Sequence, residues 1–161
     1  MIKLDDRDLK ILSVLQKEGR IAKTALAARV NLSPTPCWER LKRMENAGVI
    51  EAYCAQIAPN AFGPLSIVFM QAELSSHMAE DFDRFERAIA DIEEIVECWA
   101  VGGGFDYLLK FACRDINAYQ RCVDDLLMQN IGLNRYFTYV VTKGVKLLPI
   151  PPVPRNSSVS G

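Results

Sequence analysis

The run Ser33-Pro34-Thr35-Pro36-Cys37-Trp38-Glu39-Arg40-Leu41-Lys42-Arg43-Met44-Glu45-Asn46-Ala47-Gly48-Val49-Ile50 carries more architectural information than any other part of this 161-residue chain. Ser33 is a favoured helix N-cap, and Pro34 suits the first helical position, where its missing N–H leaves nothing unpaired. Pro36 is tolerated for the same reason, because first-turn amides have no acceptor within the helix. Cys37, Leu41 and Met44 then share one face. Thr35, Glu39, Lys42, Arg43 and Asn46 share the other, with Trp38 and Arg40 on its flanks. The spacing predicts a helix buried on one side and basic on the other.

Two shorter helices precede it. Asp5 is a candidate N-cap with Asp8 three residues on, in the manner of a capping box, and a carboxylate there is favoured by the helix dipole. Leu4, Asp8, Ile11, Leu12 and Leu15 recur on one side, so a first helix runs to about Lys17, with Gly19 ending it. Ile21, Ala25, Leu26 and Val30 form a second apolar set, and Asn31-Leu32 make a tight turn. Two short helices joined by a tight turn, the second apolar on one side and basic on the other, describe a helix-turn-helix. Gly48-Val49-Ile50 leads into an extended stretch over 53–57, which predicts a short ribbon. Charge is split in the same sense. Up to Ala58 there are ten Lys/Arg against seven Asp/Glu, and from Pro59 onward nine against thirteen. Lys and Arg on the outer face can neutralise phosphates or bond guanine edges in a major groove.

Downstream of a boundary at 58–63 the pattern alternates. Strands are expected over 65–74, 94–101, 107–112 and 133–142, and helices over 80–90 and 116–128. Phe82, Phe85 and Ile89 face inward on the first of these helices; Ile116, Tyr119, Val123 and Leu126 with Leu127 do so on the second. The order βαββαβ is that of a ferredoxin-like sandwich. The fold class expected is therefore α+β, a winged helix-turn-helix followed by a ferredoxin-like domain. The domains are 1–58, a linker over 59–63, a second domain over 64–148, and a proline-rich tail over 149–161.

Composition excludes several classes. Half the residues are hydrophobic and 24% are charged, as in a soluble domain with a core. No apolar run reaches the ~18 residues of a membrane span, and the charged start lacks a signal-peptide core. The five cysteines are scattered and contain no Cys-x-x-Cys pair, which argues against zinc and for reduced thiols in the cytoplasm. Neither cofactor nor metal is expected, and no catalytic residue. His77, alone in a polar loop, reads as solvent-exposed; Cys37 reads as packed, Cys98 and Trp99 as core or interface, and Asp124-Asp125 as a solvated helix face.

The chain resembles the Lrp/AsnC (feast/famine) transcription regulators. Leu4-Asp5-Asp6-Arg7-Asp8-Leu9-Lys10-Ile11-Leu12, Glu18-Gly19-Arg20 and 26–33 are similar to that family's opening, and 33–50 is similar to its recognition helix and exit turn. Gly102-Gly103-Gly104-Phe105-Asp106-Tyr107 is similar to the Gly-x-x-Asp-Tyr signature of its ligand domain, and Thr138-Tyr139-Val140-Val141 with Val145-Lys146 to its closing strand. The resemblance implies double-stranded DNA as partner, contacted by Ser33, Thr35, Pro36, Trp38, Glu39, Arg40, Lys42 and Arg43. It also implies a small amino-acid-like effector at Gly102, Gly103, Gly104, Phe105, Asp106, Tyr139, Val140 and Val141, and a homodimer assembling into a tetramer or octamer. Gly104 departs from the family, which commonly carries a polar residue there, so a leucine-type response does not carry over. The chemistry of the glycines is consistent: they let a backbone approach a ligand and offer N–H groups to a carboxylate. Asp106 could face an ammonium. The same residues could instead simply turn a hairpin, with Asp106 satisfying local amides.

Two other functions fit the layout. A sirohaem-decarboxylase-like enzyme would need basic or histidine side chains in the second domain, where His77 is the sole histidine. A DNA-organising protein would use the same helix with little sequence preference.

Overall fold

The computed structural model describes residues 2–58, 61 and 63–147. The expected tail over 149–161 and part of the 59–63 linker lie outside the described residues. The chain divides between Gln56 and Ile57 into two compact units, each with its own apolar core.

The first unit holds α1 (Asp6–Leu15), α2 (Lys23–Arg29) and α3 (Pro34–Asn46). The capping box of α1 forms as expected. Asp5 Oδ1 accepts from the N–H groups of Arg7 and Asp8, both at 2.9 Å, and Asp8 Oδ2 accepts from Asp5 N–H at 2.9 Å. Val30 to Ser33 make the turn into α3. Asn31 adopts φ 54°, the Leu32 N–H reaches back to Ala27 O at 2.9 Å, and the Asn31 N–H to Ala28 O at 3.2 Å. That is a Schellman closure, and asparagine tolerates its left-handed position. Gly48, at φ 68°, closes α3 in the same way, with Val49 N–H on Met44 O at 3.0 Å. Ile11, Leu26, Ala27, Cys37, Leu41 and Met44 are buried together.

Three details differ from the sequence reading. Ala27 takes the inward place on α2, and Ala25 is exposed, because Ala27 shares the buried side with Val30 three residues on. Ser33 occupies the N-cap of α3, but its side chain makes no capping hydrogen bond. Residues 51–58 carry no strand, so the expected ribbon is absent. An extended segment becomes a strand only by pairing, and the described sheet pairs β2, β3, β1 and β4 alone.

The second unit holds β1 (Ser66–Leu74), α4 (Ala79–Ile89), β2 (Ile95–Ala100), β3 (Tyr107–Cys113), α5 (Ile116–Met128) and β4 (Leu133–Val140). The sheet order is β2-β3-β1-β4, with every neighbouring pair antiparallel. This is the expected βαββαβ sandwich. Burial alternates along β1 and β3 with the period of a sheet covered on one face. Val68, Met70, Ala72, Leu109 and Phe111 pack against Phe85 and Ile89 of α4 and Tyr119, Val123 and Leu126 of α5. Ile116 and Leu127, expected inside, are exposed, since the stripe of α5 is centred on Tyr119 and Val123. Trp99, Phe137 and Tyr139 point away from this core and are roughly half exposed. Among the described residues no helix is long and apolar enough to cross a membrane.

Candidate functional site

α3 presents the side chains that the sequence pattern assigns to it. Ser33, Thr35, Pro36, Trp38, Glu39, Lys42 and Arg43 are exposed, and Arg40 is half-buried. The three cations of this face are held differently. Arg40 Nη1 lies 2.6 Å from Asp5 Oδ2 and 2.9 Å from Asp8 Oδ1. Arg43 Nη2 lies 2.5 Å from Asp8 Oδ2. Lys42 forms no ion pair among the described residues. Trp38 is capped by Lys23, the first residue of α2, whose Nζ sits 3.2 Å from the ring centroid. Such a contact restrains the indole in an outward orientation.

Asp8 is fully buried, and it is the sole buried charged residue among those described. Its place in the sequence, on the apolar side of α1 and at a capping position, does not by itself identify Arg40 and Arg43 as its partners. A carboxylate on an apolar stripe was the available signal, because a buried charge requires a counter-charge. Asp5 is held well below the usual carboxylate range, at about 2, first by the Asp8 N–H and then by the Arg40 guanidinium. The carboxylates of Asp5 and then Asp8 push the Arg40 guanidinium up.

In the second unit residues 102–106 join β2 to β3. Asp106 is pinned at three points. Its N–H donates to Ala72 O and its carbonyl accepts from Val101 N–H, both at 2.9 Å, and its Oδ2 accepts from Leu74 N–H at 2.7 Å. Its Oδ1 lies 3.1 Å from His77 Nε2. The His77 ring packs against Phe82, with centroids 6.0 Å apart. No sequence signal linked His77 to Asp106, since they stand 29 positions apart with α4 and β2 between them. The N–H groups of Gly102, Gly103, Gly104 and Phe105 meet no acceptor among the described residues. Gly103 has φ 156°, and a Cβ at any of the three glycines would meet nothing within 4 Å.

Tyr139, Val140 and Val141 lie elsewhere. The loop abuts Ala72 and Leu74 at the end of β1, whereas Tyr139 pairs with Phe69, Val140 with Val68, and the Val141 N–H bonds Ile67 O. Three to five residues along a strand correspond to about 10–17 Å. A single chain therefore does not bring the two halves of the expected effector set together. Tyr139 Oη instead donates to Gln71 Oε1 at 3.2 Å. Among the described residues no group of three or more His, Cys, Asp or Glu is placed to hold a metal ion.

Comparison with known proteins agrees with both units. Residues 4–51 match the winged helix-turn-helix DNA-binding family, and residues 67–150 match the Lrp/AsnC ligand binding domain. The chain is 51% identical over 145 residues to the transcriptional regulatory protein DoeX of Halomonas elongata, covering 90% of this chain and 92% of that one. It is 42% identical over 143 residues to the leucine-responsive regulatory protein of Escherichia coli, covering 89% and 87%. A transcriptional regulator of Neisseria meningitidis, solved as a complex with L-methionine, superposes with a TM-score of 0.86 at 32% identity, over 96% of this chain and 98% of that one. These relatives are regulators, and the enzyme alternative is not favoured. A recognition helix with an outward basic face, joined in one chain to a ligand domain matched over its whole sheet, places this protein in the Lrp/AsnC family of DNA-binding transcriptional regulators.

Proposed function

We propose that a small amino-acid-like effector binds at residues 102–106 and modulates how α3 engages DNA. The observation that carries this reading is the row of four N–H groups, from Gly102 to Phe105, without acceptors among the described residues. Successive amides left without acceptors in an exposed, glycine-rich loop are donors available to a carboxylate. Asp106 and His77 border it, and they offer a carboxylate oxygen and a ring nitrogen to a ligand's ammonium or polar side chain. The L-methionine complex of the Neisseria relative supports the ligand class. Gly104 leaves the loop without the polar side chain that the family resemblance leads one to expect there, which favours an effector other than leucine.

Tyr139, Val140 and Val141 complete the site from another subunit in this reading. Outward-facing Phe69, Trp99, Leu108, Phe137 and Tyr139 give the uncovered sheet face an apolar surface suited to a two-fold homodimer. Dimers then associate to a tetramer or octamer in the cytoplasm. Domain limits are 1–58 for DNA reading and 64–148 for sensing, with 59–63 as linker and 149–161 as tail. On DNA the dimer presents Ser33, Thr35, Pro36, Trp38, Glu39, Arg40, Lys42 and Arg43 to successive major grooves, about one helical turn apart. Effector binding shifts DNA affinity by favouring one subunit arrangement.

Fluorescence anisotropy on DNA from upstream of the protein's own gene, with random duplex as competitor and amino acids and derivatives added in turn, tests this. One compound should change the affinity of the wild type and fail to do so in Gly103→Val, which sets a β-branched side chain among the open amides. An effector response preserved in that variant would remove the loop from the site.

A further inference from the structure

Asp8 cannot touch DNA, because it has no solvent-accessible surface. It nevertheless binds two guanidiniums that can. Its Oδ1 takes one N–H of Arg40 and its Oδ2 takes one N–H of Arg43, while Asp5 Oδ2 takes the same Arg40 Nη1. Arg40 keeps a quarter of its side chain exposed and Arg43 about half. In each guanidinium the remaining N–H groups have no partner among the described residues. One edge of each fork is therefore anchored inward, and another is left to face outward.

We infer that Asp8, assisted by Asp5, is a positioning residue for DNA sequence recognition: it orients the forks of Arg40 and Arg43 on α3. This rests on α3 being the reading helix. A guanidinium makes paired hydrogen bonds to a guanine edge only within a narrow range of orientations. A free arginine surrenders its rotamer freedom on reaching that geometry, whereas one already pinned by a carboxylate has surrendered it on folding. The arrangement has an electrostatic cost. Two of the three cations on this face already carry a carboxylate partner, so their pull on phosphates in general is weakened. The device thus trades non-specific attraction for orientation. Lys42, the unpaired cation, is left as the phosphate contact, which positions but does not specify.

These roles predict changes of opposite sign. The probe is the duplex that the full-length wild type enriches from a random-sequence library, measured beside a scrambled duplex across a salt series. Asp8→Asn keeps the size but only one acceptor oxygen, so one of the two guanidiniums loses its anchor. Binding to scrambled DNA should hold or strengthen, its log–log salt slope should steepen by up to about one, and the selected-to-scrambled ratio should fall about tenfold. Asp8→Asn combined with Arg43→Ala should lower that ratio by less than the two separate losses multiplied together, whereas Lys42→Ala should add independently and weaken both duplexes alike. If Asp8 is only a scaffold residue, affinity for both duplexes falls together in step with the folded fraction read by circular dichroism, and the ratio stays constant. That result overturns the inference. Should Asp8→Asn fail to fold, Asp5→Ser decides: serine keeps the cap of α1 but removes the second carboxylate from Arg40, and the ratio should drop about threefold. An unchanged ratio in folded Asp5→Ser also overturns it. Lys42→Ala without effect on either duplex would instead count against α3 as the reading helix.

Discussion

α3 and the 102–106 loop each rest on an aspartate, yet the two supports are built differently. Asp8 is sealed beneath α3 and answers two guanidiniums, so charge meets charge with no water between. Asp106 keeps some exposure and answers a backbone amide and an exposed histidine. The first arrangement holds side chains of a finished surface. The second holds a stretch of backbone whose own donors remain open. The candidate DNA-reading set comes together within one chain, whereas the candidate effector set is split between opposite ends of one sheet. Rigid support suits a surface that reads a fixed duplex. Open amides at the edge of a unit suit a site that another molecule completes.

The sharpest way to break this contrast is to remove the counter-charges from Asp8. Arg40→Ala with Arg43→Ala leaves a buried carboxylate unpaired, a change that typically costs ~3–5 kcal/mol. Arg43 is half exposed, so water entering behind it should reduce the loss to about 2–3 kcal/mol. Urea unfolding followed at Trp38, in a Trp99→Phe background, should report this in the first unit. A shift below ~0.5 kcal/mol would mean that Asp8 is not sealed.

Asp106→Ala comes next. It strips the acceptor from Leu74 N–H on a residue only 2% exposed, at a cost of about 1–3 kcal/mol. Unfolding followed at Trp99 in a Trp38→Phe background should register it, and the effector response in anisotropy should shrink about tenfold while DNA binding without effector is kept. His77→Ala should be milder. The His77 side chain is 65% exposed, so stability should move by less than ~1 kcal/mol, and effector affinity should fall a few-fold by isothermal titration. Equal effects of His77→Ala and Asp106→Ala on stability would contradict the asymmetry drawn here.

Asp5 gives the smallest effect. Its carboxyl is depressed from 3.8 to about 2 on folding. A depressed acid stabilises the native state at pH above its unfolded value, and that contribution disappears as pH falls through the folded value. The melting temperature of the first unit should therefore drop between about pH 4 and pH 2, with less of a drop in Asp5→Ser. Identical profiles in the two proteins would show that the Asp5 contacts contribute nothing.

Most of the architecture was legible because both cores announce themselves through periodicity. Cys37, Leu41 and Met44 recur as a helix must, and Val68, Met70, Ala72 and Leu74 alternate as a strand must. Turn chemistry at Asn31 and Gly48 was readable for the same local reason. Errors arose where neighbours in space decide. Ala25 and Ala27 are both small enough to pass for core, and only the packing of the unit selects Ala27. The stretch at 53–57 has strand-like residues, but a strand also requires a partner.

The sequence by itself determined the two units, the order of their elements, the basic outward face of α3 and the glycine-rich break before Asp106. All of these depend on residues close together in the chain, whose spacing sets helix or strand geometry directly. Tertiary structure alone decided that Arg40 and Arg43 answer to Asp8 across more than thirty residues, that His77 meets Asp106, and that Tyr139 stands away from the glycine loop. Such pairings follow from where packed elements place their side chains, and the hydrophobic patterning that folds the chain is indifferent to which charges end up side by side.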